Sequence, residues 1–273
     1  MSLTIGHIEY ANCTPIFTAL RDGFDCSSYR FVRGVPAHLN RLLADGEIDV
    51  CPSSSIEYGK NPDRYLILPD LSISAVGPVK SVLLFSRMPL EDLDGSTIGM
   101  TTESDTSVNL LRVILAKFNG LSNSFERTGL LLAEALAIYP AVLLIGDGAL
   151  RGAQAAPCSH VYDLGELWYR STGLPFVFAL WLLRRETAAT QPGDVARLAA
   201  DLVQAKQVAY GAYPAIAAEA PEREWIGREL LVDYWRTISY DLTEAHLRGL
   251  TLFFTYAVDL GVLTSVPALK LFG

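Results

Sequence analysis

Residues 36–59 read PAHLNRLLADGEIDVCPSSSIEYG. Pro36 suits a first helical turn, because its φ is already set and its missing N–H is not needed there. Leu39, Leu42 and Leu43 then fall on one helical face, and Gly46 marks the stop. Ile48 to Cys51 follows as a short buried-strand pattern, and Ser53 to Ser55 supplies hydroxyls of the kind that cap a further helix. Helix, strand and helix in so short a space predict an α/β sheet with helical crossovers.

The pattern extends in both directions. Thr4 to Ile8 and Tyr29 to Val32 read as strands on the N-terminal side, with Thr14 and Pro15 as an N-cap and first helical residue between them. Tyr65 to Leu68 and Ser81 to Phe85 read as strands on the other side, so the first 85 residues form a βαβαβ unit. A Pro-containing acidic segment, Arg87 to Leu93, interrupts this rhythm and marks a crossover. A second α/β unit then begins with the strand Thr97 to Thr101. Ser104 to Ser107 lead into a helix with Val108, Leu111 and Leu115 aligned, and Ala141 to Ile145 is a buried strand ending at Gly146 and Asp147. From Glu166 the chain turns mainly helical, apart from TGLPFVFALW (172–181), whose aromatic content fits a strand returning to the first lobe. The last helix is capped by Thr243, carries Leu247, Leu250, Phe254 and Leu260 on one face and stops at Gly261.

Composition narrows the function. The chain has 273 residues, of which 50% are hydrophobic, enough for a substantial core. A net charge of −8 and a pI near 5.0 argue against a nucleic-acid partner and against an anionic membrane surface. A small anion is still admissible, since helix N-termini bind anions whatever the exterior charge. The apolar run Phe176 to Leu183 is far short of the roughly 20 residues of a membrane helix. With no secretory signal in its first residues, the chain is expected to be cytoplasmic and its four cysteines to stay reduced. The four histidines lack metal-ligand spacing, so no metal site is expected. No nucleophile elbow, P-loop or complete GxGxxG fingerprint is present.

Three predicted helices start beyond strands with small polar residues: Asn12 to Thr14, Ser53 to Ser55 and Ser104 to Ser107. Such starts are ordinary caps, and equally places where N–H groups and hydroxyls hold carboxylates. Cys13 reads either as a small buried hydrophobe or as a thiol with lowered pKa. Asp147 and Asp163 read either as turn formers or as cleft carboxylates able to act as base. Lys80, Arg87 and Arg151 are expected at the solvated surface.

The ordered segments HIEYANCTPIF, GVPAHLNRLLADGEIDVCPSSSIEYG, LPDLSISAVGPVKSVLLFSR, TTESDTSVNLLRVIL, LLIGDGAL, YDLGELW and TGLPFVFALW together resemble the chorismate dehydratase (MqnA) family of the futalosine route to menaquinone. The resemblance covers positions 7–181. It implies a two-lobed α/β fold of the type II periplasmic-binding-protein class with a ligand cleft between lobes, the lobes expected at 1–87 with 174–273 and at 88–173. It also implies conversion of chorismate, a small dianion, to 3-[(1-carboxyvinyl)oxy]benzoate and water with no cofactor. Under it, Asn12 orients the substrate, and Ser54, Ser55, Ser81, Ser104, Thr106 and Ser107 hold it. The proton acceptor is either the substrate's own enolpyruvyl carboxylate or Asp147. A later naphthoate synthase of the same pathway and a non-catalytic anion-binding protein of the same fold are the alternative readings.

Overall fold

A computed structural model of the chain describes residues 2–155 and 158–273. In the first part of the chain, β1 (Leu3–Ile8), α1 (Thr14–Gly23), β2 (Tyr29–Gly34), α2 (Pro36–Asp45), β3 (Val50–Ser54), α3 (Ser55–Lys60) and β4 (Tyr65–Ala75) follow one another. The second part contributes β5 (Val82–Ser86), β6 (Thr97–Thr101), α4 (Asp105–Val113), β7 (Ser124–Thr128), α5 (Leu132–Ile138), β8 (Ala141–Ile145), α6 (Gly146–Ala155), β9 (His160–Asp163) and α7 (Leu164–Thr172). Then come β10 (Phe176–Arg184) and the helices α8 (Arg185–Thr190), α9 (Pro192–Glu219), α10 (Arg223–Ile226), α11 (Arg228–Trp235) and α12 (Glu244–Asp259). Among the described residues no helix is long and apolar enough to cross a membrane.

The strands form two sheets of five, ordered β2-β1-β3-β10-β4 and β7-β6-β8-β5-β9. Each lobe is built on one of them. In each, four strands run in one direction, and the strand arriving from the other lobe lies antiparallel to both its neighbours: β10 between β3 and β4, and β5 between β8 and β9. The return of residues 176–181 to the first sheet is therefore as expected. β10 is buried along nearly its whole length, which a central strand covered on both faces requires.

The expected boundary at residue 87 is corrected. Ser81 to Phe85 does not complete the first unit; β5 pairs with β8 from Val82↔Ile145 to Ser86↔Ala141 and belongs to the second sheet. The crossover therefore falls between Ala75 and Val82, where Gly77 and Lys80 take positive φ. A fully buried apolar strand reads the same in either sheet, because periodicity reports burial and not the pairing partner. Strands β7 and β9 were not anticipated. Both are edge strands with largely polar, partly exposed residues, so neither carries a clean alternation.

Local signals explain several helix ends. Gly46 adopts φ +82 and its N–H returns to Leu42 and Leu43 carbonyls, closing α2. Ser104 caps α4 by accepting from the Ser107 N–H. Asp163 caps α7 through Gly165 and Glu166 and also accepts from Val79 and Lys80 N–H, so it anchors the crossover and is not a free carboxylate. Thr14 differs from its expected role: Cys13 is the N-cap of α1, and Thr14 Oγ1 donates to Glu222 Oε1 at 2.6 Å.

Candidate active site between the lobes

Strand β1 ends at Ile8, and the chain then crosses the mouth of the cleft before α1 begins. This short loop carries Tyr10, Ala11 and Asn12. It is fixed by the C-terminal helices, which supply more than packing. Trp235 Nε1 donates to the Ala11 carbonyl and the Tyr240 hydroxyl to the Asn12 carbonyl, each at 2.7 Å. Tyr234 donates to Ser81 Oγ at 2.9 Å, where the chain enters β5.

Between the lobes lies a cavity lined by Tyr10, Asn12, Ser54, Ser81, Ser104 and Ser107, with Ile8, Ile73, Val79, Val82, Ile145 and Phe178 among its apolar walls. Of the residues expected to bind substrate or orient it, the fold thus brings together Asn12, Ser54, Ser81, Ser104 and Ser107 from both lobes. The described lining contains no lysine, arginine or histidine. What it offers is hydroxyls, an amide and the Ser104-capped start of α4. Asn12 Oδ1 is shielded from water and has no hydrogen-bond partner, and the Tyr10 hydroxyl is likewise buried, with the Glu103 carboxylate its nearest polar neighbour. Such groups are costly to leave unpaired, so they mark where a polar ligand belongs. Burial, reinforced by Glu103 and Asp147, holds the Tyr10 hydroxyl far above its ordinary pKa, so it serves as a donor.

Ser55 and Thr106 are corrected. Their hydroxyls lie 3.3 Å apart and Thr106 Oγ1 also accepts from the Ile56 N–H at 3.1 Å, so they tie α3 to α4 and do not line the cavity. Both point at a helix start, as the sequence suggested; the chosen rotamers turn them to each other. Asp147 is also displaced from its expected place. Gly146 lines the cavity, whereas Asp147 faces the neighbouring groove with His7, Glu9, Thr14, Arg21, Arg33 and Glu222. Its Oδ1 accepts from the Ala11 N–H at 3.0 Å. Burial, with the nearby Glu222 and Glu103 charges, pushes its pKa up to about 6, against the opposing pull of that N–H and of Arg151. The two readings of Cys13 resolve toward the hydrophobe: it is buried and its thiol is held well above the ordinary range. Arg151 lies 3.9 Å from the centre of the Trp225 ring, spanning the lobes.

Sequence reading missed Tyr10, although it stands two residues before Asn12 in the same loop. An aromatic there looks like core until the lobes are placed. The described residues contain no cluster of three or more His, Cys, Asp or Glu arranged for a metal.

Residues 3–259 match the family model for menaquinone biosynthesis. A chorismate dehydratase of Thermus thermophilus is 35% identical over 266 residues, covering 91% of this chain and 93% of the relative. One of Campylobacter jejuni is 29% identical over 182 residues, 65% and 66% of the two chains. In fold the chain resembles protein AF1704 from Archaeoglobus fulgidus, with TM-score 0.77, 18% identity and 96% and 98% coverage. It also resembles the periplasmic aliphatic sulphonate binding protein SsuA from Escherichia coli, with TM-score 0.69, 13% identity and 97% and 89% coverage. The fold is thus that of periplasmic binding proteins, two lobes around a cleft.

Proposed function

The chain belongs to the menaquinone-biosynthesis family, and from that premise we propose that it dehydrates chorismate in the cavity between its lobes. The observation that carries this reading is the lining itself: neutral hydroxyls and an amide from both lobes, with the buried Asn12 Oδ1 left without a partner. Chorismate presents two carboxylates and a ring hydroxyl to such a site. Charge-assisted bonds from neutral hydroxyls and helix N–H groups are strong enough to hold carboxylates in a dry cleft.

The chemistry requires little more. The ring hydrogen beside the enolpyruvyl ether is acidified through the diene by the ring carboxylate. Its removal places negative charge on that carboxylate, and departure of the neighbouring hydroxyl as water leaves an aromatic ring. Ser104, Ser107 and the first turn of α4 stabilise the developing charge. Asn12 aligns the leaving hydroxyl; a carboxamide is not a base at neutral pH. The proton passes to the substrate's own enolpyruvyl carboxylate and leaves with the hydroxyl, so that atoms balance as one organic acid plus water. Support for this choice is that Asp147 faces the adjoining groove and its carboxylate is engaged with Ala11.

The cavity is narrow, about 60 Å³, and walled by residues of both lobes. Substrate entry therefore needs the lobes to part and close again. Incubating the purified protein with chorismate, with ultraviolet and mass detection, tests the proposal. An aromatic product lighter by one water is expected, and its rate should fall on the order of 10²-fold in Asn12→Ala. Tight binding without turnover would instead make the protein a non-catalytic anion binder.

A further inference from the structure

The loop that carries Asn12 is held from both lobes, and its two sets of holds differ in kind. Ala11 is fully buried, so its backbone groups need partners within the protein. Its carbonyl is taken by Trp235 and the next carbonyl, of Asn12, by Tyr240, both from the C-terminal segment that packs on the same lobe. Its N–H is taken by Asp147, which enters from the start of α6 in the second lobe. Of these holds only the last crosses from one lobe to the other. Asp147 has no ion-pair partner within 4 Å among the described residues: Arg151, one turn along α6, is stacked on Trp225 instead.

We infer that Asp147 is a positioning residue that couples closure of the lobes to the setting of Asn12, by accepting the Ala11 N–H only in the closed form, and that it does not take a proton from substrate. The inference rests on the assignment of the cavity as the reaction site. Closure delivers the acceptor to the peptide group immediately before Asn12, so the amide is correctly aimed only once substrate is enclosed. A loop set in this way avoids exposing an aligned site to water before the lobes meet. The groups that face Asp147 are consistent with an acceptor held at the lobe boundary: Glu222 from the segment before α10, Glu103 from the loop before α4, Arg151 on its own helix, and Tyr10, Cys13 and Tyr234 from the facing lobe.

Two substitutions test this in the full-length protein. Asp147→Asn keeps an oxygen able to accept from Ala11, while Asp147→Ala removes it. Asp147→Asn should retain kcat within about threefold, and Asp147→Ala should lose roughly tenfold or more in kcat, the cost of one buried hydrogen bond, with a smaller change in KM. A general base would instead be lost in both, by 10²–10⁴-fold. Equal collapse of the two variants overturns the inference. Hydrogen exchange at the Ala11 amide gives a readout that does not need turnover: protection should be retained in the wild type and in Asp147→Asn and lost in Asp147→Ala. Retained protection in Asp147→Ala also overturns it. If the wild type fails to convert chorismate, the reaction assigned to the cavity fails while the exchange measurement still decides the role of Asp147.

Discussion

The Tyr10 ring occupies the space that a side chain at Gly146 would need: a Cβ there would stand 2.8 Å from Tyr10 Cδ2, and Gly146 itself sits at φ +56. The two residues belong to different lobes and both line the cavity. Gly146→Ala should therefore oppose closure twice, through about 1–2 kcal/mol of left-handed strain and through the clash with Tyr10. A rise in KM for chorismate of about tenfold or more is expected, together with a lowered Tm. Unchanged KM in a folded variant would show that the lobes do not meet here during turnover.

Tyr10→Phe separates substrate binding from stability. The hydroxyl is buried and makes no well-formed hydrogen bond within the protein, so its removal should leave the melting temperature unchanged or slightly raised. If the hydroxyl donates to a substrate carboxylate, affinity should fall by about 1.5–3 kcal/mol, roughly tenfold to 150-fold. Calorimetric titration with chorismate and a thermal melt on one preparation give both numbers. Wild-type affinity would remove Tyr10 from the site. Ser107→Ala should weaken binding similarly, but with some loss of stability, because Ser107 Oγ accepts from Ser104 at 3.2 Å.

His7 and Asp147 should oppose each other in the pH dependence of stability. Burial and the Arg21 and Arg33 charges hold His7 at about 4, below its ordinary 6.5. The unfolded chain then binds the extra proton between about pH 4 and 6.5, so this residue adds stability as pH rises. Asp147, raised to about 6 from 3.8 chiefly by burial, does the reverse: the folded chain binds the extra proton, and stability falls as pH rises across about 4 to 6. Denaturant midpoints from pH 4 to 7.5 should show a shallow profile in the wild type. Asp147→Asn should be stabilised on the order of 1 kcal/mol at pH 7.5 relative to pH 4.5, and His7→Gln should show the opposite slope. Parallel profiles for both variants would refute the assignment.

Lys206 and Asp241 form an asymmetric pair. The lysine side chain is 4% exposed and the aspartate 40%, with Nζ donating to Asp241 Oδ1 at 2.8 Å and to the Asp70 carbonyl at 2.7 Å. Asp241→Ala strands a buried ammonium that cannot reach water, whereas Lys206→Met leaves a carboxylate that can. The first should cost about 3 kcal/mol and the second nearer 1, read from chemical denaturation. Equal costs would mean that the lysine escapes to solvent when unpaired.

Much of the fold was legible in the chain. Pro36, the Leu39–Leu43 face and Gly46 determine α2, and the Ser104 cap determines the start of α4, because each acts through its own backbone within a turn or two. The apolar continuity of residues 176–181 likewise marked a central strand, since a central position buries such a run on both faces. The helix starts bearing Asn12, Ser54, Ser104 and Ser107 could be named because strand-to-helix turns of an α/β sheet face its ligand crevice.

What tertiary structure alone decided were matters of partnership between distant residues. Ser81 to Phe85 joins the second sheet and not the first, although its sequence suits either. Ser55 and Thr106 spend their hydroxyls on each other, while Ser54 and Ser107, one position away in each case, line the cavity. Asp147 becomes an acceptor for the Ala11 N–H only because the two lobes meet there. Periodicity, caps and turns are written in interactions between near neighbours. Which surfaces meet, and which polar atoms they leave unpaired, depends on contacts between residues as far apart as Ser55 and Thr106 or Ala11 and Asp147, and no local pattern records those.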